Sequence, residues 1–192
     1  MGISRIALSS IQTLNKSDSF LDGNPPYIPS SYESIATLSP SAATTTTFSS
    51  IPSTYSSLQI RANLIASTAD SVLIIRLNGD STTAYSRHAL YANGGVVSAG
   101  GTAPTGSPII IGFGARGAGV TYPTVGIVDL IDYASTTKYK TGRSMFGYDD
   151  NSTAGDIELN SFSWRNTAAV TSITISIGTG TFTGSVALYG VK

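Results

Sequence analysis

From about Phe48 to Lys192 the chain is a succession of short β-branched and aromatic runs, each broken after five to nine residues by Gly, Asn, Asp or Ser/Thr. Within this region no stretch holds an apolar stripe at helical period for ten residues. That pattern restricts the fold to an all-β, antiparallel sandwich of jelly-roll or Greek-key type. Leu58, Ile60, Ala62 and Leu64 alternate with Gln59, Arg61 and Asn63, as in a half-buried strand. Val72–Leu77 is apolar apart from Arg76 and runs into Asn78-Gly79-Asp80, a hairpin signal because both central residues tolerate positive φ. Tyr85–Tyr91 ends at Asn93-Gly94-Gly95. Further strands are expected over Pro108–Phe113, Val125–Ile131, Tyr139–Phe146, Ile157–Trp164, Val170–Ile177 and Ser185–Val191. Helix is confined to a single turn around Tyr133–Thr137.

The first 47 residues differ from the rest. They carry Pro25, Pro26, Pro29 and Pro40 and the run Thr44–Thr47. The division expected is an extended Ser/Thr/Pro-rich docking arm over 1–47 and a β-sandwich over 48–192. Such an arm buries too little apolar surface to fold alone, so a partner must offset the entropy of ordering it. Its anchors for that partner are Ile3, Ile6, Leu8, Ile11, Leu14, Phe20, Leu21 and Tyr27.

Charge and cysteine content narrow the function classes. There is no Cys, so disulfides, thiolate nucleophiles and zinc–thiolate sites are excluded. Eleven basic and eleven acidic residues balance, and only 11% of residues are charged, against about 25% in an average domain. Neither nucleic acid nor an anionic membrane is an expected partner. Low charge suits a protein whose surface is largely covered in an assembly. No apolar run reaches the roughly 20 residues of a membrane span.

The candidate chemistry is sparse. Gly112, Gly114 and Gly117 spell G-x-G-x-x-G after a strand, but Ala118–Pro123 cannot supply the helix whose N-terminus would hold a pyrophosphate. His88 is the single histidine, flanked by Arg87 within a strand and without a nucleophile elbow elsewhere. Asp149, Asp150, Asn151 and Asp156 form an oxygen-rich loop, a weak calcium candidate without the EF-hand spacing. Asp129 and Asp132 sit three apart in or beside a strand and so point to opposite faces, which is not a hydrolase pair. Asp129 should share a face with Val125, Ile127 and Ile131 and meet a partner such as Arg61 or Arg76, or lie at the sheet edge. Tyr91, Tyr148 and Tyr189 lie near turns and are the aromatics expected to be exposed for contact with a glycan or protein. No catalytic residue, cofactor or firm metal site is assigned, and no enzymatic activity is expected.

Several runs, in order, carry a resemblance. They are Phe48-Ser49-Ser50-Ile51-Pro52-Ser53-Thr54-Tyr55 with Leu58-Gln59-Ile60-Arg61, and Leu77-Asn78-Gly79-Asp80 with Tyr85-Ser86. Then come Asp129-Leu130-Ile131-Asp132-Tyr133 with Lys138-Tyr139-Lys140, Trp164-Arg165, and Ala187-Leu188-Tyr189-Gly190-Val191-Lys192. The chain from about Ser34 onward resembles a family of minor structural proteins of tailed-bacteriophage virions. The resemblance implies a virion component assembled in the bacterial cytoplasm, without catalytic residues. The expected role is capsid decoration or cement, with the arm docked on the major capsid protein. The alternative is a tail-fibre, tail-tip or baseplate component, held by tail or adaptor proteins and binding a host surface glycan. A homo-oligomer is expected, for which a trimer is a natural state.

Overall fold

The computed structural model describes residues 31–68, 71–102, 109–113, 122–149 and 155–192. The chain divides into two units, Met1–Ser31 and Tyr32–Lys192. All the anchors proposed for the arm, from Ile3 to Tyr27, lie outside the described residues. Among its described residues the second unit holds twelve strands and no helix. They are β1 (Tyr32–Leu38), β2 (Thr45–Phe48), β3 (Ser57–Ala66), β4 (Val72–Leu77), β5 (Tyr85–Asn93) and β6 (Val96–Thr102). After them come β7 (Ile109–Phe113), β8 (Thr124–Ile131), β9 (Lys140–Tyr148), β10 (Asp156–Trp164), β11 (Ile173–Ile177) and β12 (Phe182–Val191).

The expected all-β antiparallel sandwich is present, and its wiring is that of a jelly roll. β1 pairs with β12, β2 with β11, β3 with β8 and β4 with β7, all antiparallel. These pairs nest in sequence like rungs of one ribbon. The ribbon folds over so that β1-β12-β3-β8 lie in one sheet and β2-β11-β4-β7 in the other. The first sheet then continues past β8 through β9-β10-β5-β6, giving eight strands against four. Two hairpins, β9–β10 and β5–β6, make this extension. The β5–β6 turn is the expected one at Gly94-Gly95, with Gly94 at φ 56°.

The core lies between the sheets. Leu58, Ile60 and Leu64 of β3 and Val186 and Leu188 of β12 face Leu73, Ile75 and Leu77 of β4 and Ile173 and Ile175 of β11, all buried. Removing each such side chain from water contributes about 1.5–3 kcal/mol. Gly126 and Gly142 sit directly under the rings of Phe146 and Phe162. A Cβ there would come within 2.2 and 2.3 Å of ring atoms, so the neighbouring strands require glycine.

Four expectations need correction. The last part of the expected arm, Tyr32 to Thr47, carries strand β1 and most of β2. Thr45–Thr47 is low in apolar content because β2 is an edge strand, held by pairing with β11 and by a Thr47–Thr174 hydroxyl contact of 3.0 Å. Asn78-Gly79 does form a tight turn at positive φ, closed by Asp80 N–H to Leu77 O at 3.0 Å. The turn does not make a hairpin, since β4 and β5 belong to different sheets. Side chains fix that crossing. The amides of Thr171 and Ser172 donate to Asn78 Oδ1 at 2.8 and 3.1 Å, and the Trp164 indole donates to Asp80 Oδ2 at 2.7 Å. Around Tyr133 the chain makes a turn rather than a helical one, closed by Ser135 N–H to Asp132 O, with Asp132 at φ 54°. β6 was not expected, because Gly100 and Gly101 make it read as loop.

Candidate interaction surface

Alternation along β8, β9, β10, β5 and β6 places one set of side chains on the outer face of the large sheet. Cross-strand register aligns them in rows. One row runs Val125, Gly147, Ile157, Ala92, Val97. The next runs Ile127, Met145, Leu159, Leu90, Ala99. The large members stay exposed: Ile157 56%, Leu90 52%, Met145 51%, Leu159 49% and Val97 71%. With Val125 and Ile127 they form a band of seven large apolar side chains crossing five strands. Gly147 opens a groove of about 450 Å³ in it, walled by Val125, Ile127, Met145 and Ile157 and ending at Arg61 and Asp149.

A polar row borders the band. Asp129 shares the face of Val125, Ile127 and Ile131, as expected, but its partners differ from those anticipated. Arg143 Nε donates to its Oδ2 at 3.0 Å and Gln59 Nε2 to its Oδ1 at 2.9 Å. Arg143 is the cross-strand neighbour of Asp129, whereas Arg61 reaches it only through Gln59 Oε1, at 2.8 Å. The Arg61 guanidinium is engaged over the rings of Tyr32 and Tyr189, at 5.0 and 4.6 Å.

The inner face of the extension carries a buried polar patch set among the core rings of Tyr85, Phe146, Phe162 and Trp164. Arg87 donates to Glu158 at 2.8 Å and to Asn160 at 3.1 Å. Ser144 donates to the Ile111 carbonyl of β7 at 2.7 Å, and Asn160 to Ser144 at 3.2 Å. Burial pushes the Glu158 carboxyl above its ordinary range, against the opposing pull of Arg87. Its Oε2 has no hydrogen-bond partner among the described residues. Lys140 is also buried, and its ammonium donates to the carbonyls of Ser135, Lys138 and Thr167 at 2.6, 2.8 and 3.1 Å. Burial lowers its pKa, opposed by Asp132.

The residues singled out in the sequence do not converge. Tyr148 is not an exposed contact aromatic but is 8% exposed, because β9 turns it inward. Tyr91 and Tyr189 are half-buried, the latter under Arg61. Asp149 is exposed beyond β9, and Asp156 opens β10, where Asn93 Nδ2 donates to it at 3.4 Å. Asp150 and Asn151 lie outside the described residues. Among those described, no three His, Asp or Glu side chains come together as metal ligands. Gly112 belongs to β7, while Gly114 and Gly117 fall outside. His88 is exposed in β5, its ring over Gly101. The apolar band escaped the sequence reading, although Ile157 and Leu159 alternating with Glu158 and Asn160 carry its period.

No family model matches the chain, and no curated protein or solved structure is significantly similar to it.

Proposed function

We propose that this protein is a structural component of a bacteriophage virion, a capsid decoration or cement protein whose N-terminal residues dock on the particle. The observation that carries an assembly role is the apolar band. Seven large side chains side by side on one face make on the order of 600 Å² of apolar surface, the top of the range for the largest patch on a typical monomer, where such patches often serve an interaction. The low charge content agrees with a surface destined to be covered. The resemblance of the strand and turn sequences to tailed-phage structural proteins points to the virion as that assembly.

Immunogold labelling of intact particles with an antibody to the sandwich tests this reading. Many labels over the head are expected, and deletion of residues 1–30 should abolish head binding. Label confined to the tail or neck would overturn decoration in favour of a tail-borne host-binding module. In that module Arg61 with Tyr32 and Tyr189 would be the cluster to probe with host glycans.

A further inference from the structure

The apolar band is complementary to itself. We infer that a second copy of this chain packs on it face to face, about a two-fold axis that crosses β9 between Met145 and Gly147. Such an axis lies in the contact plane, perpendicular to the strands, and exchanges the two apolar rows. Met145, half exposed, then enters the notch over the partner's Gly147. Leu90 meets the partner's Ala92, and Leu159 the partner's Ile157. Large side chains thus fall opposite small ones on β9 and β5, and the rows on β10 meet as equals.

The same operation acts on the polar borders. Rows are about 7 Å apart along the strands. Arg143 lies one row beyond Met145, and Asp149 one row beyond Gly147 on the opposite side. Both are equidistant from the axis, so Arg143, 74% exposed, comes opposite the partner's Asp149, and the pair occurs twice. Within one copy the two are six residues apart along an extended stretch, about 20 Å, and cannot meet. Sheets packed in this way sit about 10 Å apart and cross at about 30°, so β9 and β10 carry the tightest contacts. The seven side chains give about 1,200 Å² for the two copies together, the lower end for a stable, specific pair.

Sedimentation velocity on the full chain over a concentration series tests the inference. The wild type should form a dimer. Met145→Arg should weaken it by on the order of 100-fold, because an unpaired guanidinium would be buried. Met145 is exposed, so the variant should keep the Trp164 fluorescence of the wild type. Arg143→Glu and Asp149→Lys should each weaken the dimer, and the double variant should restore it. A wild type that stays monomeric, a Met145→Arg dimer of unchanged strength, or a double variant no better than the singles would each overturn the two-fold. The inference does not depend on the virion reading: particle labelling decides that one and sedimentation this one.

Discussion

The jelly-roll half and the middle of the four-stranded extension of the large sheet use opposite polarities. In the jelly roll, β3 and β12 turn Ile60, Leu64, Val186 and Leu188 inward and leave Arg61, Asn63, Thr183 and Ser185 outside. In the extension, the middle of β10 does the reverse, with Glu158 and Asn160 inside and Ile157 and Leu159 outside. The cause is what covers each inner face. β3 and β12 face strands of the small sheet that bring apolar side chains. Past β8 the small sheet ends at β7, and the inner face of the extension meets the β7 backbone, whose Ile111 carbonyl takes hydrogen bonds from Ser144 and Asn160. Backbone carbonyls need donors, so polar side chains belong there. The lesson is that an apolar run on a strand marks whichever face is to be covered, by the chain itself or by another molecule.

Substitutions in the two regions sharpen this contrast. Ile75→Ala, in the dry core of the jelly roll, should cost about 3–4 kcal/mol in urea denaturation followed by Trp164 fluorescence. A cost under about 1 kcal/mol would mean that the core is not packed between the sheets as described. Arg87→Met should cost about 3 kcal/mol at neutral pH, because it strands the Glu158 carboxylate in the interior. The loss should shrink in acid. Glu158 has its folded-state pKa raised, so the folded protein holds that proton more tightly than the unfolded chain. Its contribution therefore falls as pH rises from 4.5 through the folded pKa and recovers as pH drops. A pH-independent penalty for Arg87→Met would show that Glu158 is not the group left unpaired. Leu159→Ala, measured where the chain is monomeric, should change stability by less than about 0.5 kcal/mol. A loss approaching that of Ile75→Ala would mean that the band is already covered within one copy.

Much of the fold was legible. Strands β3, β4, β5, β8, β9 and β10 stand within a residue or two of their expected bounds, since β-branched runs between turn residues leave little else to form. β1, β2 and β6 were not legible, because edge strands bury only part of one face and carry no clear alternation. The turn at Asn78-Gly79 was legible as a turn and misleading as a hairpin. Positive φ is a local property, whereas the sheet a strand joins depends on distant partners such as Trp164 and Thr171. That Asp129 shares a face with Val125, Ile127 and Ile131 was legible from period 2, but its partner was not, because cross-strand register brings Arg143 rather than Arg61 beside it.

By itself the sequence determined that this is an all-β, cysteine-free, weakly charged sandwich, because composition and periodicity act residue by residue. Tertiary structure decided the phase of that periodicity. Alternation says that Ile157 and Leu159 share a face and Glu158 and Asn160 the other, but not which is inside. Only the pairing of β10 between β9 and β5, beneath the backbone of β7, turned the polar residues inward and left an apolar face to be covered from outside.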